Sequence, residues 1–465
     1  MGKGVTNTQI KRYRKSFEAD QSAKVAQNAV SNTELTSLAL SRDLVQNMDF
    51  SFSTKLDDWG VTHQRRSGRC WLFATLNLFR VGAMKKMNVK DFEFSQAHVH
   101  FWDKLERANH FLEAIVETSD RPVDDRTIHF LLGDPIGDGG QWNMAMNLIR
   151  KHGLVPMSAY PESHSSSNTR WMNTVLKDIL RTSASEIRGI LDGGGSKKEA
   201  RDHKEARMAD IWRILCIHLG TPPAKFDWQW RDKDNEFHRK GEMTPMEFAE
   251  EYVDIEWEDY VCIVNDPRNE YYQTYTVDFL QNVAGGPPVV YLNVPSEEMK
   301  SVTQRLLEDG THVWMGCDVG KHMERKRGLW DAELYQLEDL YGVNYGMDKA
   351  DRLRFSQTMM THAMLFTGVD VVDGKPRRWR VENSWGDKES GIKGYYTMND
   401  NWYDEHMFEI AAPRDYLTDE MRAGLDGEPV VLPAWDPMGS LAREEAFEEP
   451  SSGYEGTVRL SQSRE

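Results

Sequence analysis

The stretch Gln64–Phe73, "QRRSGRCWLF", places a cysteine directly after a basic, glycine-containing turn and at the start of an apolar run. The run continues as "CWLFATLNLFRVGAMKKM" with apolar residues near helical spacing, which predicts a buried helix beginning at Cys70. A helix N-terminus and a neighbouring cation such as Arg69 both favour a thiolate. Cys70 is therefore a candidate nucleophile, although a lone cysteine is more often a packed core thiol.

A cysteine nucleophile needs an imidazole to take its proton and a third group to orient that imidazole. "MMTHAMLFTGVD" places His362 at the start of an apolar β-type run, and "RVENSWG" places Asn383 after the next such run. Two adjacent antiparallel strands would set these side chains next to each other, with Trp385 covering their hydrogen bond. The Cys70 backbone N–H and the Gln64 side-chain amide are candidate donors to an oxyanion.

Three motifs in this order resemble the papain-type cysteine peptidases: Gln64 six residues before Cys70, a later histidine heading an apolar strand, and N-S-W-G at Asn383. The resemblance implies that Cys70 is the nucleophile and His362 the general base and acid. It further implies that Asn383 orients the imidazole and that Gln64 donates to the oxyanion. No HExxH motif or CxxC pair is present, so we expect neither a metal nor a cofactor.

The segment Gly133–Trp142, "GDPIGDGGQW", is a loop by composition. It lacks both the G-x-G-x-x-G pattern and the GK[ST] ending of nucleotide-binding loops. Its "DGGQW" part resembles the Gly-Gly segment that lines the substrate cleft of papain-type enzymes. The resemblance implies that Gly139 and Gly140 bind the peptide backbone, whereas composition alone makes them turn residues.

Two departures narrow the resemblance to one branch. Secreted papain-like enzymes have a disulfide-bonded cysteine three residues before the nucleophile, where this chain has Ser67. Cys70 and His362 also lie much farther apart than the roughly 130–150 residues of the ordinary papain pattern. The branch of bleomycin hydrolase and bacterial aminopeptidase C has both features, and "LGTPPAKFDWQWRDKD", "CDVGKH" and "LPAWDPMGSLA" resemble it too.

This branch implies an intracellular cysteine aminopeptidase that hydrolyses N-terminal peptide bonds, the bleomycin amide and homocysteine thiolactone through a thioester. Its members are homohexamers whose C-terminal arm enters the cleft, where the terminal carboxylate meets the substrate's amino group. Ala442 matches that last residue, yet this chain continues with an acidic segment at 443–465 that predicts disorder. We expect the tail to be trimmed to near Leu441–Ala442; the alternative is that it leaves the cleft.

The expected fold class is α+β, with a papain-like helical half, an antiparallel β-barrel-like half and a large helical insertion. Composition and the resemblance together predict the following boundaries: an N-terminal arm at 1–60, a helical catalytic half at 61–165, a mainly helical insertion at 166–285, a β-rich catalytic half at 286–425, a C-terminal arm at 426–442 and a disordered acidic extension at 443–465.

Composition restricts the partners. The chain has 465 residues, a formal net charge of −17 and four widely spaced cysteines, which suit reduced thiols inside a cell. We expect no membrane span or signal peptide, and a cytoplasmic location with a mitochondrial pool as the alternative. The start "MGKGVT" fits the loose N-myristoylation pattern at Gly2.

A hexamer that binds nucleic acid, with secondary peptidase activity, is the second functional hypothesis, and the negative charge disfavours it.

Overall fold

The structure, a computed structural model, describes residues 2–56, 59–388 and 390–443. The helices are α1 (Asn7–Ala19), α2 (Gln21–Val30), α3 (Leu35–Ala39), α4 (Arg42–Gln46), α5 (Cys70–Met87), α6 (Gln96–Glu117), α7 (Arg126–Gly133), α8 (Trp142–His152), α9 (His164–Ser167), α10 (Arg170–Asp192), α11 (Lys197–Leu219), α12 (Pro245–Tyr252), α13 (Ser296–Glu308), α14 (Leu337–Tyr341), α15 (Lys349–Arg354), α16 (Asp400–His406) and α17 (Asp419–Gly424).

The strands are β1 (Thr54–Lys55), β2 (Phe226–Arg231), β3 (Phe237–Met243), β4 (Tyr260–Val264), β5 (Gln273–Val277), β6 (Tyr291–Asn293), β7 (Val313–Cys317), β8 (Met323–Glu324), β9 (Leu329–Trp330), β10 (His362–Val372), β11 (Lys375–Glu382), β12 (Tyr395–Asn399), β13 (Met407–Pro413) and β14 (Val430–Leu432). Twelve of them form one sheet in the order β14-β5-β6-β4-β13-β7-β10-β11-β12-β9-β8, with β1 also paired to β10. The centre of the sheet, from β4 through β13, β7, β10 and β11 to β12, is antiparallel.

Helix α5 is the central helix and begins at Cys70, as the sequence predicts. It is apolar around most of its circumference, which is why it is buried on all sides rather than amphipathic. It packs on β10 and β7 of the sheet on one side and on α6 and α8 on another. It ends at Asn88, whose left-handed φ of 55° terminates the helix. The N-terminus of α5 is thereby fixed against the middle of the sheet.

The predicted insertion at 166–285 differs from the structure in its second half. Helices α10 and α11 pack on each other and on α6, and the β2–β3 hairpin follows them. Strand β4, however, pairs with β13, and β5 pairs with β6, so both belong to the large sheet. The apolar run "YVCIV" of β4 is buried between neighbouring strands. The prediction of a mainly helical region did not include this strand.

The predicted N-terminal arm at 1–60 contains four helices and then β1, which pairs with β10. Helices α1 and α2 have no buried residues. Within the described residues, no helix combines the length and the apolarity that crossing a bilayer requires. The predicted acidic extension lies, from residue 444 onward, outside the described residues.

A carboxyl group is buried within the sheet at Glu409 of β13, whose side chain is opposite Val264 and Gly316 in the register. Burial raises the pKa of Glu409 to about 8. A contact with Cys262 acts in the opposite direction and lowers this pKa. Between the ordinary pKa of 4.5 and about 8, the folded chain holds a proton that the unfolded chain has released. The free energy of unfolding therefore falls as pH rises through this window.

Glu409→Gln should remove this pH dependence. Because one pKa unit corresponds to about 1.4 kcal/mol, the stability of the variant relative to wild type should rise by about 3 kcal/mol from pH 5 to pH 8. Urea unfolding at the two pH values measures it. The exposed Glu308→Gln should keep the wild-type dependence, and a Glu409→Gln variant that also keeps it would show that Glu409 is ionised in the fold.

Candidate active site

The turn before α5 is buried and held by its own side chains. The Gln64 side-chain N–H donates to the Ser67 carbonyl at 2.7 Å, and the Ser67 hydroxyl donates to the Gln64 carbonyl at 2.6 Å. Gln64, Ser67, Arg69 and Cys70 are each fully buried. The turn therefore presents Cys70 at the first position of α5, where backbone N–H groups lack partners within the helix.

Arg69, which the sequence suggests as a cation that favours the Cys70 thiolate, is paired with a carboxylate. Its guanidinium makes a two-pronged ion pair with Glu162, with both N–O distances at 2.9 Å, and its Nε donates to the Ser67 hydroxyl at 2.8 Å. The charge of Arg69 is thus compensated by a carboxylate. Of the two devices expected to favour a Cys70 thiolate, the helix N-terminus is present, whereas the charge of Arg69 is paired with that of Glu162.

His362 and Asn383 are in contact. His362 is the first residue of β10, and Asn383 directly follows β11, which pairs with β10 in antiparallel register. The His362 Nε2–H donates to Asn383 Oδ1 at 2.9 Å, and both residues are fully buried. The Trp385 ring lies with its centroid 4.9 Å from that of the imidazole. With the proton on Nε2, Nδ1 is the basic atom of the neutral ring.

The N-terminus of α5 lies at the strand pair where His362 begins. His362 is opposite Cys317 of β7, and the indole N–H of Trp314, also on β7, donates to the Trp71 carbonyl at 3.3 Å. Burial raises the pKa of the Cys317 thiol, with Asp318 and Cys70 as further causes. The bond from Trp314 holds the first turn of α5 against β7, the strand that pairs with β10 at His362.

The turn that bears Gln64 contacts the loop that bears Asn383. The Ser384 hydroxyl donates to Gln64 Oε1 at 2.6 Å, and the Gln64 backbone N–H donates to the Ser384 carbonyl at 2.9 Å. An isolated bridge joins His63 to Trp385 directly beside it. Segments more than 300 residues apart thus form one hydrogen-bonded unit around the candidate catalytic groups.

The C-terminal arm pairs with the Gly-Gly loop. The Gly140 N–H donates to the Ala442 carbonyl at 3.1 Å, and the Ala442 N–H donates to the Gly140 carbonyl at 3.2 Å. Gln141 donates to the Ser440 carbonyl. A Cβ on Gly140 would lie 2.4 Å from the Trp71 ring, so only glycine lets the arm and the indole approach together.

The arm continues across the site towards the β-rich half. The Arg443 N–H donates at 2.8 Å to the carbonyl of Thr361, the residue before His362. A Cβ on Gly68 would lie 2.6 Å from the Arg443 carbonyl oxygen, and one on Gly139 would lie 2.7 Å from the Arg443 Cβ. The backbone of Arg443 therefore crosses between the turn before Cys70 and the start of β10.

Sequence reasoning missed the buried acidic residues that support this site. Glu382, directly before Asn383, accepts from Arg80 at 2.9 Å, from Asn77 at 3.0 Å and from the Trp59 indole at 2.9 Å. The sequence feature that could have indicated Glu382 is an acidic residue within an apolar β-type run, "RWRVENSW". An ionised acid in such a setting is stable only when it is paired. Among the described residues, no group of His, Cys, Asp and Glu side chains is arranged to hold a metal ion.

The chain is similar to known proteins over nearly its whole length. The profile of the Peptidase C1-like family matches residues 4–439. The chain belongs to the Peptidase C1-like family. Rat bleomycin hydrolase is 42% identical over 451 residues, which cover 94% of this chain and 99% of that protein. Aminopeptidase C of Streptococcus thermophilus is 41% identical over 429 residues, covering 92% of this chain and 96% of that protein.

The solved structure of PepW from Lactobacillus rhamnosis has a TM-score of 0.92 with this chain at 39% identity. The match covers 95% of this chain and all of that one. These similarities confirm the papain-like α+β fold, and they confirm that this Peptidase C1-like chain is a cysteine peptidase. They also confirm the predicted cysteine aminopeptidase function, of the kind that bleomycin hydrolase and aminopeptidase C represent.

Proposed function

We propose that this chain releases N-terminal residues from peptides, with Cys70 as nucleophile, His362 as general base and acid, and Asn383 as the residue that orients the imidazole. The single observation that supports the aminopeptidase register is the pairing of Ala442 with Gly140, because the arm then fills the cleft beyond the first substrate residue. The hydrogen bond from His362 Nε2 to Asn383 supports the assignment of the base.

The proposed reaction has two steps. The Cys70 sulfur attacks the carbonyl carbon of the first residue while His362 Nδ1 takes the thiol proton and then gives it to the departing amine. A water molecule next attacks the thioester, and His362 takes its proton and returns it to the sulfur. The Cys70 backbone N–H and the Gln64 side-chain amide stabilise the negative oxygen that forms in each step.

Substrate binding follows the path of the arm. On one side of the cleft Gly140 pairs with Ala442, and Gly139 packs closely against the arm. On the other side the Thr361 carbonyl, which accepts the Arg443 N–H, is placed to accept the substrate's amino group. Once the chain ends at Ala442, its carboxylate pairs with that ammonium, and such charge-assisted bonds fix the register. Bleomycin's amide and homocysteine thiolactone are proposed as further substrates because they require no additional residues.

The tail must be removed for this register to exist. Arg443 lies as a bound first substrate residue would lie, with its N–H on Thr361 and its carbonyl against Gly68. We propose that the enzyme cuts its own chain after Arg443 and then removes Arg443 to expose the Ala442 carboxylate. The alternative, in which the tail leaves the cleft uncut, predicts a different specificity.

We also propose self-association into a homohexamer in the cytoplasm. Ile10, Tyr13 and Phe17 share helical spacing and form an apolar stripe on one face of α1. Their exposed fractions are nevertheless 43%, 53% and 43%. Such a stripe is suited to packing against a second copy of the chain. No disulfide is formed within the described residues, which suits a reducing compartment. Nucleic-acid binding and a mitochondrial pool stay predictions that no observation favours.

The aminopeptidase register is tested by blocking the amino group of a substrate. A fluorogenic amino-acid amide should be hydrolysed, and its N-acetylated counterpart should react at least about 100-fold more slowly, since acetylation removes the ammonium that pairs with Ala442. The measurement is kcat/KM for both compounds. Equal rates on the two, or cleavage inside an N-acetylated peptide, would instead indicate an endopeptidase with an open cleft.

A further inference from the structure

Asp138 lies where the turn before Cys70, the Gly-Gly loop and α10 meet. Its carboxylate is buried, with the side chain only 6% exposed. One oxygen accepts the Gly68 N–H at 3.1 Å and the Thr169 hydroxyl. The other accepts the Asn173 side-chain N–H at 2.8 Å. One side chain thus joins the turn to the helical insertion.

The carboxylate of Asp138 is ionised and has a buried partner. Lys104 of α6, also buried, lies 2.6 Å from it and donates to the Gly137 carbonyl at 2.6 Å. Burial acts to raise the pKa of Asp138, but Lys104, the most important opposing group, holds that pKa well below its usual range. Burial likewise lowers the pKa of Lys104, and Asp138 opposes the shift. Neither charge is stable in this setting without the other.

Two hydrogen bonds to Asp138 flank the nucleophile. The Gly68 N–H, two residues before Cys70, donates to the carboxylate, and the Trp71 indole N–H, one residue after it, donates to the Asp138 carbonyl at 2.7 Å. Gly68 has no side chain that could hold the turn by itself. Its peptide orientation, and with it the path of the chain into α5, depends on what its N–H contacts.

We infer that Asp138, neutralised by Lys104, is a positioning residue that holds Cys70 in register with the substrate carbonyl. Asp138 also lies two residues before Gly140, which pairs with Ala442, so the nucleophile and the cleft wall are fixed to one group. The inference rests on the proposed role of Cys70. It goes beyond that role because Asp138 acts through the residues around Cys70, accepting hydrogen bonds from Gly68 and from the Trp71 indole.

The test compares Asp138→Ala, Asp138→Asn and Lys104→Met with wild type on a fluorogenic amino-acid amide. Asp138→Ala should lower kcat at least about 30-fold while KM stays within about threefold, since a misplaced nucleophile affects the chemical step. Asp138→Asn retains an oxygen that can accept the Gly68 N–H, so its kcat should lie between those of Asp138→Ala and wild type. Iodoacetamide alkylation of Cys70, followed by mass spectrometry, should slow in the same order.

The control is Asp178→Asn, which removes one exposed carboxylate from α10 and should leave kcat unchanged. If Asp138→Ala does not fold, Asp138→Asn and Lys104→Met decide. Values of kcat within twofold of wild type in folded variants, or an effect on KM alone, would overturn the inference. A wild-type protein that is inactive on every amino-acid amide would instead contradict the proposed function.

Discussion

Replacing Cys70 by alanine is expected to lower kcat/KM on an amino-acid amide by more than about 10⁴-fold. In the proposed reaction the Cys70 sulfur forms the bond that splits the reaction into two steps, and alanine has no nucleophilic atom. What remains would come from binding and the oxyanion donors alone. Initial rates with the purified variant, at the same protein concentration as wild type, measure the loss.

The chain offers a matched control for this substitution. Cys216 on α11 is a partly buried thiol that lies outside the site, so Cys216→Ala should leave the rate within about twofold. Removing the partly buried sulfur of Cys216 should cost little stability. If Cys70→Ala kept the wild-type turnover, Cys70 would not be the nucleophile. A large loss of rate in Cys216→Ala would mean that removing any thiol lowers the rate.

A chain that ends at Ala442 should be at least about 100-fold more active than an uncut chain of 465 residues. In the proposed register Arg443 occupies the position of the first substrate residue, and a tethered segment competes with substrate at an effective concentration of roughly millimolar. Fresh wild-type protein should therefore show a lag in activity, and its intact mass should fall in step with the rise of the rate.

The Cys70→Ala chain is the control for the origin of this cut. It should keep the mass of the full chain under conditions in which wild type loses residues 444–465 and then Arg443. Trimming of the inactive variant at the same rate would assign the cut to another protease. A full-length chain with the activity of the chain that ends at Ala442 would mean that the tail does not occupy the cleft in solution.

The proposed catalytic residues could be located in the sequence because each one lies at the start or the end of an apolar run. Cys70 begins an apolar helical run, His362 begins an apolar strand, and Asn383 ends the next strand. Strand pairing between neighbouring runs then places the last two side chains together. The position of Ala442 followed from the family resemblance, and spacing alone would not have indicated it.

The buried ion pairs could not be predicted, because their partners are far apart in the sequence. The two ion pairs, Asp138–Lys104 and Glu382–Arg80, each join different elements. Taken alone, each of these residues is of a charged type that is usually exposed to solvent. The compensation of Arg69 by Glu162 was missed for the same reason. The strands β4 and β5 were assigned to a helical region because their apolar runs are short and lie between polar loops.

The most direct test of the central claim is to trap the acyl group on the enzyme. Wild-type protein is mixed with an activated ester of an amino acid, quenched in acid within the first turnovers, digested and analysed by mass spectrometry. The account predicts one acyl group per chain, on the peptide that contains Cys70, and none on the peptides of the other three cysteines. Steady turnover with the acyl group on a different residue, or with none on Cys70, would contradict it.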